Sequence, residues 1–504
     1  MNGEKERPGS ESQLVVVGGG GAGLTAALAA AERGARVTVV EKRRVLGGNT
    51  NLAHVFFGVE SPFHKRIGVE ISRDAAFQMA MSYAHWKIDP KIVRSFIDKS
   101  GETVGWLEER GVEFFDIPNY YPEQNPRPYQ FMKGHGTELC KILARHCRER
   151  GVEFVCKASA RKILRDGDGN LAGVLVRTKE GELRVPGKAV VIATGGYAGN
   201  RRMLKKYFPY YSENLWLFGM PISVGDGLRL ATEAGGASEG LGTLQLVGPR
   251  VPTSPYVSVA VVEPSTIWVN KKGERFVDES MAFRWPEAGN AVARQPDSLC
   301  WSIFDSATER SFIEDGIFRG YIKYPARTRL TELDREIAPE VEKGHVKISD
   351  SWDEIARWMG VDPAALKATV DGYNASCRAG RDGFFCKEPR FLRPLAQPPF
   401  YAVRCGLAFH GTLGGIRINH RMEVLDRKGE PVPGLYAAGT DTSGWEGDTY
   451  CLTLSGSTFA FAINSGRIAG ESSSAYLVSR AVNSRVTMDT PNGGESAPVG
   501  QRWG

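Results

Sequence analysis

One stretch leaves few folds open to this chain: Leu14 to Lys42, LVVVGGGGAGLTAALAAAERGARVTVVEK. Leu14-Val15-Val16-Val17 is a short β-branched run, the pattern of a parallel strand buried on both faces. Gly18 to Gly23 then form a small-residue turn. Leu24 to Arg33 follow as a helix with Ala or Leu at every turn, and Gly34 stops it. Arg36 to Val40 is a second strand, and Glu41 ends the unit 18 residues past Gly23 (41 − 23). The combination is a βαβ dinucleotide fingerprint. Gly18 permits the tight turn, Gly20 lets backbone approach a pyrophosphate, and Gly23 lets helix and strand pack closely. The helix N-terminus offers unpaired N–H groups and the positive end of a dipole to phosphates. Glu41 is placed to accept hydrogen bonds from a ribose diol.

Further glycine turns return to the same sheet. Leu46-Gly47-Gly48-Asn49-Thr50 follows the second strand and suits close approach to a phosphate or ribityl chain. Ala189 to Ile192 is another buried strand, ending in Ala193-Thr194-Gly195-Gly196. Gly225-Asp226-Gly227 opens a helix over 228–234, and Gly434 to Gly439 is the last strand and turn. Leu454 to Thr458 opens a small-residue helix running to about Ala469. Between about Leu244 and Arg404 the βαβ alternation is lost, and the clearest feature is a hairpin, Trp268 to Glu279, with an Asn-Lys-Lys-Gly turn. At 504 residues the chain exceeds one ordinary core. The expected division is a leader at 1–13, a discontinuous nucleotide domain at 14–244 and 405–480, an inserted capping and substrate domain at 245–404, and a flexible tail at 481–504. The aromatic, proline-rich stretch Phe114 to Met132, with Tyr120, Tyr121 and Tyr129, reads either as a packed surface loop or as part of an aromatic substrate wall.

Composition removes several classes. Lys and Arg are scattered and the net charge is only +6, so no nucleic-acid partner is expected. The eight cysteines show no CxxC and no zinc spacing, which gives no support for a disulfide framework, c-type haem, iron–sulfur cluster or metal site. No run reaches the roughly 20 apolar residues of a membrane span. The polar N-terminus lacks the apolar segment of a signal peptide, so a cytoplasmic, reduced protein is expected.

These ordered blocks, with Arg275-Phe276-Val277-Asp278-Glu279, Thr412-Leu413-Gly414-Gly415 and Gly466-Arg467-Ile468-Ala469-Gly470, resemble the FAD-dependent fumarate reductase and succinate dehydrogenase flavoprotein superfamily, on the branch of soluble ene reductases and 3-ketosteroid Δ1-dehydrogenases. The resemblance covers nearly the whole chain. It implies an α/β fold, a Rossmann-like FAD-binding domain with an inserted α+β capping domain. It also implies hydride transfer between flavin N5 and a carbon beside an electron-withdrawing group, with a protein acid or base handling the partner proton. The cofactor contacts expected are Gly18, Gly20, Gly21, Ala22, Gly23, Glu41, Lys42, Gly48, Asn49, Thr50, Ala160, Thr194, Gly195, Gly196, Asp226, Gly439, Gly456, Ser457 and Thr458. The last three start the small-residue helix, whose N–H groups would face the charge that develops at flavin N1 and the C2 carbonyl. The covalent-FAD histidine of the respiratory enzymes is missing around Gly48-Asn49-Thr50, with His54 displaced, so FAD is expected to be non-covalent.

The catalytic residues implied are Arg284, His410, Tyr450 and Tyr121. Arg284 follows the block that places the proton donor in relatives, but one position late, where Phe283 would align. His410 sits four residues before Gly414, as the family's carboxylate-binding histidine does. Thr449-Tyr450 and Asn119-Tyr120-Tyr121-Pro122 resemble tyrosine-bearing stretches of the ketosteroid enzymes. The dicarboxylate clamp is depleted: Thr453 replaces an arginine, and Val259 and Val262 replace a relay acid and arginine. The leading expectation is therefore an ene reductase of a non-fumarate unsaturated carbonyl or acid, served by a separate electron donor. The alternative is a ketosteroid-type desaturase with an external electron acceptor. A third reading, an FAD-binding electron carrier, needs no proton chemistry and leaves Arg284, His410 and Tyr450 without a use.

Overall fold

The structure is a computed structural model that describes residues 5–6, 13–116, 127–251, 254–320 and 324–488, with side chains described as far as residue 482. Tyr120, Tyr121, most of the 1–13 leader and the last part of the tail lie outside the described residues.

The chain is a mixed α/β protein. Its first sheet runs Glu423–Leu425, Pro431–Ala437, Ala189–Ile192, Leu14–Val17, Val37–Glu41, Glu153–Cys156, parallel throughout except for the outermost Glu423–Leu425. The strands Leu14–Val17 and Ala189–Ile192 are wholly buried, as their unbroken apolar runs require of a sheet covered on both faces. Helix Gly21–Ala31 follows the first strand and packs against the long helix Ser457–Met488. Small residues set that contact. A Cβ on Gly466 or Gly470 would lie 2.4 and 2.3 Å from the carbonyl oxygens of Ala22 and Ala26, so only glycine allows the two helices to approach this closely. The helix does not stop near Ala469. Its Ser-rich continuation remains packed, with Leu477 buried and the hydroxyls of Ser473 and Ser474 bonded back to the Gly470 carbonyl, and the helix runs to Met488.

A second sheet is organised on one long strand, Phe400–Thr412. Leu215–Leu217, Leu244–Arg250, Cys300–Asp305 and Val346–Ser349 all pair with it, and Ile267–Val269 pairs with Cys300–Asp305. This sheet draws in Leu215–Leu217, and limits at 244/245 and 404/405 would cut through two of its strands. It has its own apolar cluster around Ile267, Trp301, Ile303, Leu366, Tyr373 and Leu395. The Arg275 to Glu279 block serves this layer. Arg275 bonds Glu279 at 2.7 Å and Asp382 at 3.0 Å, and the buried Lys387 reaches Glu279 at 3.0 Å. Four mutually compensated charges at this depth fix the segment that runs into Trp285. The long strand carries His410 and ends at Thr412, whose hydroxyl oxygen lies 3.4 Å from the Tyr197 amide just beyond the first sheet.

Among the described residues, no helix is long and apolar enough to cross a membrane, and no group of three or more His, Cys, Asp or Glu side chains could hold a metal ion.

Candidate active site

A channel runs over the carboxyl ends of the parallel strands, where α/β sheets bind ligands. Its walls include Gly18, Gly20, Gly21, Ala22, Glu41, Lys42, Gly48, Asn49, Thr50, Ala160, Thr194, Gly195, Asp226 and Gly439. Gly18 adopts φ +110°, and a Cβ there would lie 2.2 Å from the Ala193 carbonyl oxygen. Beside Gly20 the space is open: a Cβ would meet nothing nearer than the Gly47 carbonyl oxygen at 3.8 Å. Gly23 is absent from the wall. Its place is against the first strand's turn, where a Cβ would lie 1.9 Å from the Gly18 carbonyl oxygen. The Glu41 carboxylate accepts the Gly19 and Arg43 amides at 2.7 and 2.8 Å and faces the channel with further lone pairs. Lys42 is held by Asp226 at 2.7 Å.

Asp441 locks two glycine turns together. Buried two residues after Gly439, it accepts hydrogen bonds from the Thr194 amide, the Thr194 hydroxyl at 3.0 Å, and the Gly195 and Gly196 amides at 3.1 and 2.9 Å. Burial raises its pKa and these donors oppose the rise. Gly196 stands behind the wall, at the end of this network.

The channel opens into a cavity of about 300 Å³, and the two share Asn49, Thr50, Gly195, Thr440 and Ala462. The cavity draws on both layers. His410 and Arg250 come from the second sheet, Trp285 from the start of helix Trp285–Ala293, and Tyr450, Gly456, Thr458 and Phe459 from the start of the long helix and the loop before it. Trp285 stacks on Tyr450 with ring centroids 5.2 Å apart and meets His410 edge-on at 5.9 Å. Phe218 lies 5.7 Å from His410, and the Arg250 guanidinium lies over the Phe218 ring at 5.4 Å. Arg319, 4% exposed, also forms wall, with its Nε donating to the Ala282 carbonyl at 2.6 Å. The buried Glu263 carboxylate holds its loop by accepting the Phe318 and Arg319 amides at 2.7 and 3.0 Å, and burial pushes that carboxyl up to about 8.

His410 is enclosed by protein yet open to the cavity lumen. Enclosure first, and then the Arg250 charge, push its pKa down to about 4, so the ring is neutral at physiological pH. The Tyr450 hydroxyl accepts the Gly456 amide at 2.9 Å, and burial raises its pKa above the ordinary tyrosine value.

The structure gathers His410, Tyr450, Gly456 and Thr458 in this cavity, and leaves Arg284 and Ser457 out of it. Arg284 is exposed, between the turn Glu279–Phe283 and the following helix, and lines neither channel nor cavity; its neighbour Trp285 faces inward. Ser457 lies behind the wall, donating to Glu446 at 3.2 Å. Because the Gly456 amide is taken by Tyr450, that N–H is not among the donors left for a ligand. Sequence reasoning missed Arg250, Arg319, Phe218, Trp285, Asp441 and Glu446. Of these, only Asp441, two residues after a singled-out glycine, and Trp285, beside Arg284, carried a local signal.

The FAD binding domain family matches residues 13–449. This chain belongs to that family. FAD is its cofactor, and the site fits it: an open seat at Gly20, a carboxylate at Glu41 and a helix start facing the channel. Across 485 residues this flavoprotein is 32% identical to the vinyl phenol reductase of Lactiplantibacillus plantarum, a match that covers 93% of this chain and 97% of that one. It superposes on the open conformation of a flavocytochrome c3 fumarate reductase with TM-score 0.69 at 27% identity, over 93% of this chain and 78% of the other. It superposes on the 3-ketosteroid Δ1-dehydrogenase of Sterolibacterium denitrificans with TM-score 0.75 at 20% identity, over 92% and 99%, a likeness of fold. The flavoprotein is an FAD-dependent oxidoreductase.

Proposed function

We propose that this flavoprotein is an ene reductase for a small, flat alkene conjugated through an aromatic ring to an anionic oxygen, with a Rossmann-like FAD domain and a cap closing over non-covalently held FAD. The observation that carries the reading is the make-up of the cavity: Trp285, Tyr450, Phe218 and Phe459 supply aromatic surface, and two guanidiniums, Arg250 and Arg319, lie in the same wall. Aromatic faces suit a flat π-system, and guanidiniums suit a phenolate or carboxylate. The vinyl phenol reductase likeness supports the same class. A cavity of about 300 Å³, at the lower limit of ligand pockets, favours a one-ring substrate over four fused rings.

When bound, reduced FAD supplies a hydride to one alkene carbon. The chain's residues do the rest. Arg250 and Arg319 hold the anionic oxygen. Neutral His410 donates or accepts a hydrogen bond at that end without adding a charge. Trp285 fixes the plane of the Tyr450 ring. Tyr450 gives its proton to the other alkene carbon, and the phenolate left behind is met by the Gly456 N–H, which already points at that oxygen. The sum is one hydride and one proton added across the double bond.

The test is a half-reaction. The FAD is photoreduced without oxygen and mixed in turn with a hydroxystyrene, a hydroxycinnamate, fumarate and a quinone dye. Rapid reoxidation by the aromatic alkenes and none by fumarate is expected. Reoxidation by the dye alone would overturn the reading in favour of a desaturase.

A further inference from the structure

Tyr450 lines the cavity, and a proton given up there must be restored between turnovers. Behind it, outside the cavity lining, lies a carboxyl group that the reaction described above does not use. Glu446 is 9% exposed and sits on the loop before the long helix. One carboxylate oxygen accepts the Cys451 amide at 3.1 Å; the other accepts the Ser457 hydroxyl at 3.2 Å. Ser457 follows in the chain the glycine whose amide meets the Tyr450 hydroxyl, and it lies near enough to Tyr450 to oppose the pKa rise that burial imposes. The order from the cavity inward is therefore Tyr450, Ser457, Glu446. We propose that Glu446 is a buried proton reservoir that recharges Tyr450 through the Ser457 hydroxyl.

The step balances as a proton relay with no change of redox state. Tyr450 loses its O–H proton to the substrate carbon and becomes a phenolate. Ser457 passes its hydroxyl proton to that phenolate and takes the carboxylic proton of Glu446, which ends as a carboxylate. A protonated Glu446 donates to the Ser457 oxygen instead of accepting from it, and so turns the serine hydrogen toward Tyr450. Burial favours the protonated form at neutral pH, pushing Glu446 up to about 8, while the two bonds it accepts pull the other way. The ionisable groups facing it are Tyr450 and Cys451 on its own loop and Tyr83 at the end of helix Arg73–Tyr83; none of them is cationic. Glu446 never touches substrate, so its role is to supply and position the proton.

The inference rests on Tyr450 being the proton donor, and the experiment separates the two claims. FAD-loaded wild type, Glu446→Gln, Ser457→Ala and Tyr450→Phe are photoreduced for single-turnover reoxidation by a hydroxystyrene in H₂O and D₂O, and multiple turnover of the same substrate, with a reduced viologen dye as electron donor, is followed from pH 6 to 10. The wild-type turnover rate is expected to fall above about pH 8. In both Glu446→Gln and Ser457→Ala that limb should vanish, turnover should drop about tenfold or more, and FAD content and substrate affinity should hold. Ser457→Ala leaves the carboxyl in place, so agreement between the two variants assigns the loss to the relay and not to misfolding. A retained alkaline limb in both variants, with Tyr450→Phe inactive, would overturn the relay and leave the tyrosine intact. An active Tyr450→Phe would overturn both.

Discussion

The hydroxyl of Tyr450 accepts the amide of Gly456 at 2.9 Å, so the donor at the start of the longest helix points at a side chain of the cavity wall. A tyrosine that surrenders its proton there becomes a phenolate facing an N–H group and the positive end of a helix dipole. The same glycine has φ +83°, and a Cβ would lie 2.8 Å from both the Phe57 amide and the Val55 carbonyl oxygen.

Gly456→Ala should therefore destabilise the protein by about 2 kcal/mol or more, the range for a strained backbone combined with a core clash. Chemical denaturation of the FAD-loaded protein reads it. A variant as stable as wild type would mean that the positive φ is not required.

Asp441→Ala should lower both stability and FAD affinity. It removes the single acceptor for three amides and a hydroxyl, and unmade buried hydrogen bonds cost about 1–3 kcal/mol each. Equilibrium dialysis of FAD, alongside denaturation, measures the two effects.

Glu41→Ala should loosen FAD about tenfold or more, the effect of losing a charge-assisted hydrogen bond worth about 1.5–3 kcal/mol. Turnover of the fully loaded enzyme should change less. Acid precipitation of the wild type should release the flavin to the supernatant; flavin in the pellet would show a covalent bond.

His410 predicts a pH response with a definite sign. Its folded pKa lies below the unfolded value of about 6.5, so the unfolded chain binds the extra proton first and His410's contribution to stability declines as pH falls from about 6.5 to about 4. Between pH 6.5 and 8 it stays neutral, and affinity for a carboxylate ligand should be flat there. His410→Gln should remove the acid-side stability loss assigned to this group, a comparison made by denaturation at pH 5 and pH 7.

The nucleotide half of the molecule was legible because its signals are local. Leu14–Val17, the turn after it, helix Gly21–Ala31 and Val37–Glu41 are contiguous, and each glycine's role follows from its neighbours in the chain. The cavity was not legible in the same way. Arg250, Trp285, Arg319 and His410 reach it from four separate segments, brought together by the long strand Phe400–Thr412, the charge network around Glu279 and the Glu263 carboxylate under the Arg319 loop. Arg284 and Trp285 show how fine the distinction is: one residue along the same turn exchanges an exposed side chain for a wall of the site. The long helix was underestimated for a related reason. Its small-residue start was expected to end near Ala469, but Ser473 and Ser474 beyond that point bond back to the turn before them and the helix continues, as helix interiors allow.

The measurement that bears most directly on the account is single-turnover reoxidation of the reduced flavin by one good alkene substrate in Tyr450→Phe and Arg284→Lys, both fully loaded with FAD. Tyr450→Phe should slow the step at least about a hundredfold, the lower end of general-acid contributions, and Arg284→Lys, at an exposed position outside the cavity, should stay near wild type. A hundredfold loss in Arg284→Lys with Tyr450→Phe unimpaired would contradict the assignment of the proton to the tyrosine.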